Sequence, residues 1–165
     1  MDPKEYQILA IGRINTDESK GTYRLEIDPK FRPALQGLES CTHCIVLWWA
    51  DKHDNPEDRA QSLVMDLPYA PGLQSGVFAN RSQSRPNPIG ITTSFLMNVD
   101  QDEGIVDLAY IDAFDGTPVL DIKPYLPMSD RVMSAQYPEW LAGFPESMED
   151  AAEFFSNPEN LELFS

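Results

Sequence analysis

Apolar positions along this chain come in short runs and alternations, not at helical spacing. Residues 6–14 and 22–28 alternate or run apolar with β-branched and aromatic members, and residues 44–50 (Cys-Ile-Val-Leu-Trp-Trp-Ala) form a compact apolar stretch between polar segments. Such patterns predict buried strands. Residues 29–37 fit one or two helical turns, with Asp28 at the cap, Pro29 at the first helical position and Gly37 at the exit. Residues 89–99 and 104–111 flank Asp100-Gln-Asp-Glu-Gly104, which predicts an antiparallel hairpin whose tip faces water. Beyond Pro127 the pattern changes. Residues 137–141 and 147–155 read as short helices, the second capped by Ser147 with Asp150 three residues on. Phe144, Phe154, Phe155 and Phe164 supply apolar anchors by which this last stretch folds back on the rest.

Fourteen prolines and nine glycines leave little room for long helices, and closely spaced short strands favour a barrel or sandwich over a layered α/β fold. A length of 165 residues fits one domain with a proper core. The net charge of −15 is unevenly placed. Residues 1–99 hold 12 acids and 10 bases, whereas residues 100–165 hold 15 acids and 2 bases, and from Glu139 onward there is no Lys or Arg. The front is thus almost neutral, and the acidic end reads as a solvated face or a docking segment. No apolar run reaches membrane-spanning length and no basic stretch precedes an apolar one, so a cytoplasmic protein without a membrane partner is expected.

The densest chemistry lies in Gly76-Val-Phe-Ala-Asn-Arg-Ser-Gln-Ser-Arg-Pro-Asn-Pro-Ile-Gly90. Pro86 and Pro88 restrict the backbone on both sides of Asn87 and lower the entropy cost of ordering. Arg81, Arg85 and Asn87 are therefore either presented in fixed directions to a polar ligand or engaged with the abundant carboxylates. A second dense stretch runs from Ile111 to Tyr125. Asp115-Gly116 is a strong turn signal that Thr117-Pro118 continues, so exposed backbone amides and carbonyls are expected in a tight bend. Asp112, Asp115 and Asp121 can accept hydrogen bonds from a ribose or an amine. Cys41-Thr-His-Cys44 lacks the second ligand pair of a structural zinc site, and Cys44 reads more simply as a core residue. Dinucleotide-binding, Walker, nucleophile-elbow and zincin motifs are absent from the sequence.

Gly76-Val-Phe-Ala-Asn-Arg-Ser, Arg85-Pro-Asn-Pro-Ile-Gly90 and Asp115-Gly-Thr-Pro-Val-Leu-Asp-Ile-Lys-Pro-Tyr125 resemble the signature blocks of the TsaA-like (TrmO) family. The Val46-Leu-Trp-Trp49 run is similar to that family as well, so the resemblance covers roughly residues 6–127. It implies a mainly β fold: a small antiparallel β-barrel over residues 1–130 with short connecting helices, and an acidic, partly helical extension over 131–165. It further implies a homodimer that binds S-adenosylmethionine without a Rossmann fold. The implied reaction is methylation of N6 of a threonylcarbamoyl-modified adenosine beside the tRNA anticodon. By motif, Asp51, Lys52, Arg85, Phe95, Asp115, Gly116, Thr117 and Pro118 would contact the donor; Arg81 and Asn87, on the proline-stiffened loop, are the candidate acceptor contacts. Removing a proton from an amide-like N6 calls for a carboxylate or phenolate, which makes Asp121 and Tyr125 the candidate bases. A small-molecule or protein acceptor, or a non-catalytic S-adenosylmethionine sensor, stands as the alternative.

Overall fold

A computed structural model describes residues 4–61, 63–157 and 160. Six strands form one closed antiparallel barrel: β1 (Gly12–Asp17), β2 (Thr22–Ile27), β3 (His43–Trp49), β6 (Ile89–Asp100), β7 (Ile105–Leu108) and β8 (Pro118–Pro124). Around the barrel they run in the order β1-β2-β7-β6-β3-β8, with β8 closing back on β1. A separate two-stranded hairpin, β4 (Val64–Asp66) and β5 (Gln74–Gly76), leaves the barrel between β3 and β6. Three short α-helices accompany these strands: α1 (Pro56–Gln61), α2 (Pro127–Asp130) and α3 (Met148–Ser156). Among the described residues no helix is long and apolar enough to cross a membrane.

Alternation fills the interior. Ile14, Leu25, Cys44, Val46, Trp48, Val106, Leu108 and Val119 all point inward and are buried, while Arg13, Asn15, Ile91 and Phe95 lie on the outer face. The inside is therefore a packed core with no room for a ligand. Burial pushes the Cys44 thiol up to about 12, with Cys41 nearby adding to the shift, which marks Cys44 as an inert core group.

The predicted hairpin is β6–β7, and its tip ends at Gly104 with φ +72°. Residues Pro29–Leu35 form a 3₁₀ helix with Pro29 at its start and Gly37, at φ +88°, just past its end. The Ser147 hydroxyl accepts the Asp150 amide at 3.1 Å and caps α3 as expected. One strand is corrected: residues 6–11 are not part of β1, which begins at Gly12 and runs to Asp17. Tyr6, Ile8 and Leu9 are exposed, so their alternation meets no neighbouring strand among the described residues. Phe164 lies outside the described residues. Phe144 and Phe154 do anchor the end of the chain, because Phe154 packs on Phe144 at 5.6 Å and Phe144 on Tyr69 at 6.1 Å. Trp140 stacks on the same Tyr69 ring at 5.7 Å, so the acidic stretch is held by the β4–β5 hairpin.

Strand β3 lies between β6 and β8 and is antiparallel to both. Trp48 is opposite Gly90 on one side and Val119 on the other, and its indole N–H donates to Thr92 Oγ1 at 3.1 Å. A Cβ on Gly90 would meet the Trp48 ring at 2.2 Å. The indole is buried and hydrogen-bonded, so it has nowhere to move. Gly90→Ala is expected to destabilise the protein by about 1–3 kcal/mol, the usual range for overpacking a filled core. Denaturant unfolding checks this; an unchanged midpoint would show that the indole does not lie over this glycine.

Candidate functional site

Antiparallel pairing places three loops at one end of the barrel. Where β3 ends at Trp49, β6 begins at Ile89 and β8 begins at Pro118. The loop before β6, the turn after β3 and the bend before β8 therefore share a rim. Lys52, on the Asp51–His53 turn, sets its ammonium 3.8 Å from the centre of the Phe114 ring on the bend. That contact ties the turn to the bend as a cation–π pair.

The arginine loop is fixed to the same turn. Ala50 donates its amide to the Pro88 carbonyl at 2.8 Å, and Arg59 of α1 donates to the Pro86 carbonyl at 3.1 Å. Arg59 also bonds Asp54 at 2.7 Å, and Asp54 accepts the Trp49 indole N–H at 2.9 Å. Within the loop, Asn80 donates to the Gly76 carbonyl and accepts the Ser82 amide, while the Arg85 guanidinium donates to the Val77 carbonyl at 3.0 Å. The two prolines thus act as predicted, holding the backbone in a shape that side chains then lock. Arg81 and Asn87 are exposed and Arg85 is half-buried. Among the described residues neither arginine forms an ion pair, whereas Arg13, Arg24 and Arg59 all do. In so acidic a chain, two guanidiniums without a carboxylate partner on a braced loop suit an anionic ligand.

The bend differs from expectation. Gly116, at φ +81°, donates its amide to the Ile14 carbonyl, and the Thr117 carbonyl accepts the Ile14 amide, each at 2.8 Å. Asp115 Oδ1 takes the Thr16 amide at 3.0 Å. These backbone groups are used to continue the β1–β8 pairing and are not exposed, and Thr117 itself is buried. What the bend offers is the other Asp115 oxygen, the half-exposed Phe114 ring, and open space over Gly116, where a Cβ would meet nothing within 4 Å.

Three predicted residues lie elsewhere in a single subunit. Phe95 is opposite His43, and the Tyr125 amide bonds the His43 carbonyl, so both sit at the start of β3. Six strand steps, about 20 Å, separate them from Trp49. Asp121 is opposite Leu47 and ion-paired to Lys123 at 2.6 Å; it lines an apolar groove with Ile11, Leu38 and Cys41. The polar Asp51-Lys-His-Asp54 segment, which the sequence offers as possible pocket lining, brings His53 to Asp58 and Ser84, two residues with no sequence signal, beside the arginine loop: His53 Nδ1 lies 3.1 Å from Ser84 Oγ and 3.3 Å from Asp58 Oδ2. The acid-free stretch around Arg81 and Arg85, from Leu67 to Val99, was a usable signal as well.

Fold and rim together define a small closed antiparallel barrel with a filled interior and a cluster of loops at one end that forms the candidate site. The tRNA-methyltransferase O N-terminal domain family model matches residues 12–131, and the chain belongs to that family. It is 40% identical over 118 residues to a probable S-adenosyl-L-methionine-binding protein of Archaeoglobus fulgidus, a match covering 72% of this chain and 30% of the relative. A second protein of that organism, an S-adenosyl-L-methionine-binding protein, is 34% identical over 114 residues, covering 69% of this chain and 76% of the relative. The Escherichia coli tRNA (adenine(37)-N6)-methyltransferase is 38% identical over 104 residues, covering 62% of this chain and 43% of the enzyme. A crystal structure of TrmO superposes with TM-score 0.63 at 30% identity, covering 82% of this chain and 62% of that one. The chain thus spans less than half of the E. coli enzyme it matches.

The Arg59 hydrogen bond, and then that of Trp49, hold the Asp54 carboxyl below the usual aspartate range. A folded value below the unfolded one gives stability that is complete above the unfolded range and is lost as pH falls through the folded value. Asp54→Asn should therefore melt below wild type at pH 7, with the gap closing as pH falls below about 4, the ordinary aspartate range. Melting curves across that range check this, and a constant gap would rule out the ionised pair as the loop's anchor.

Proposed function

We propose that the rim binds S-adenosylmethionine and that the protein transfers its methyl group to N6 of the adenosine beside a tRNA anticodon, with the threonylcarbamoyl-modified base as acceptor. The observation that carries this reading is the meeting of the family's motif segments on one rim with two arginines that, among the described residues, have no carboxylate partner. The residues present fit a sulfonium nucleoside. A half-buried guanidinium suits the methionine carboxylate, an open aspartate oxygen suits ribose hydroxyls, and an exposed aromatic face suits adenine.

The donor supplies an electrophilic methyl carbon, and the chain's part is to hold and aim it. Arg85, Asp51, Lys52 and the Asp115-Gly116-Thr117-Pro118 bend would grip the donor, and Arg81 and Asn87 the acceptor's carboxylate. Rigid loops favour this chemistry because an in-line displacement depends on fixed approach of two atoms. Phe95 would reach such a rim only from a second subunit. A homodimer is supported by the outer face of β6, where Ile91, Phe95 and Met97 form an exposed apolar row. Residues 1–130 would act as the barrel unit and residues 131–165 as an extension packed against it. Anionic tRNA would approach along the acid-free stretch and away from the acidic extension. A tRNA acceptor places the reaction in the cytoplasm.

A second reading, binding without catalysis, is favoured by one observation: the relative this chain covers to 76% is named for S-adenosylmethionine binding alone. Incubation with labelled S-adenosylmethionine and tRNA from a strain lacking the methyltransferase separates the two. Label on the tRNA supports the enzyme; donor binding without transfer supports the binding protein. Arg85→Ala should weaken donor affinity at least about tenfold in calorimetry, the size expected for losing a charge-assisted hydrogen bond. Unchanged affinity would remove Arg85 from the site.

A further inference from the structure

We propose that His53 is the base that takes the acceptor's proton, an inference that rests on the methyl-transfer reading above. The two bases suggested by residue type are poorly placed in one subunit: Tyr125 lies at the far end of β3, and Asp121 is paired with Lys123 on the barrel's side. On the rim, Asp54 is engaged by Arg59 and Trp49, and Asp115 holds the Thr16 amide with one oxygen. His53 is differently equipped. Its turn carries Asp51 and Lys52, its amide bonds the Ala50 carbonyl at 2.9 Å, and its side chain remains 34% exposed.

The neighbours select its tautomer. Asn55 holds Asp58 in place by donating its amide to Oδ2 at 2.7 Å and accepting the Asp58 backbone N–H at 2.9 Å. The Ser84 hydroxyl donates to Asp58 Oδ1 at 3.2 Å, so its oxygen faces His53 Nδ1 as an acceptor. Nδ1 therefore faces two acceptors, the Ser84 oxygen and Asp58 Oδ2, and must carry the hydrogen. The lone pair is left on Nε2, which has no partner among the described residues. A hydrolytic triad would set serine and aspartate on opposite ring nitrogens; here both sit at Nδ1, so the cluster orients the imidazole instead of activating the serine. In the step proposed, the N6 lone pair bonds to the methyl carbon as the carbon–sulfur pair returns to sulfur. The N6 proton passes to His53 Nε2, and Asp58 balances the imidazolium.

Two measurements test this. Long-range ¹⁵N–¹H correlation on the wild-type apo protein should show His53 as the Nδ1–H tautomer, shifting to a mixture in Asp58→Asn; an Nε2–H tautomer in wild type overturns the proposal without any assay of activity. With labelled donor and unmethylated tRNA, His53→Gln should lower kcat about 100-fold or more, with donor affinity and the KM for tRNA within about threefold. A His53→Gln rate close to wild type, or loss in Asp121→Asn with retention in His53→Gln, overturns it while leaving the methyl-transfer reading intact. Absence of transfer by the wild-type protein removes both. If His53→Gln fails to fold, the tautomer measurement still decides.

Discussion

Everything at the rim depends on the pairing of β3 with two antiparallel neighbours. The chain reaches β6 and β8 by long and unrelated routes, yet each must begin beside the end of β3 because antiparallel register allows nothing else. Trp48 fixes that register. A one-residue slip would turn its indole to solvent, forfeiting a burial whose loss on truncation is typically about 3–5 kcal/mol. Gly90 completes the fit by giving the indole space over the β6 backbone. The last glycine of the Arg-Pro-Asn-Pro-Ile-Gly motif is thus a packing residue, while the asparagine before it is exposed and the arginine is half-buried against the Val77 carbonyl. One short motif both closes the barrel and shapes the site.

The charge distribution has a matching logic. Exposed ion pairs such as Arg13 with Glu26 contribute little stability, and their chief effect is to neutralise cations that would otherwise attract anions indiscriminately. Arg81 and Arg85 escape this fate because no acid lies between Leu67 and Val99. The densest acidic stretch, from Glu139 on, is fastened through Trp140 and Phe144 to Tyr69 on the hairpin that leads into the arginine loop. Aromatic stacking there fixes its attachment without engaging the cations.

Much of this was readable in the residues. Strand β3 and the β6–β7 hairpin declared themselves because a compact apolar run between polar segments and an acidic glycine-ended tip are local signals. The rigidity of the arginine loop was equally local, since it follows from two prolines. Three things were not legible. Residues 6–10 carry a strand pattern but pair with no strand among the described residues, and a partner is a tertiary fact. The bend's amides looked available because turn chemistry says nothing of the Ile14 ladder that consumes them. The His53–Asp58–Ser84 cluster joins a turn, a helix and a loop up to 31 positions apart, so no spacing rule could have assembled it.

A filled barrel also explains why recognition and chemistry are divided as they are. With Ile14, Leu25, Val46 and Val119 occupying the interior, no ligand can be enclosed, and binding must be built from loops against the outside of a stiff end. Loops change sequence without disturbing strand register, so the turn after β3, the arginine loop and the bend before β8 can vary separately on one scaffold. On the reading proposed above, transfer would further require a proton acceptor held in one orientation at that end, and the contact of Asp58 with the ring of His53 is the arrangement in this chain that would supply it.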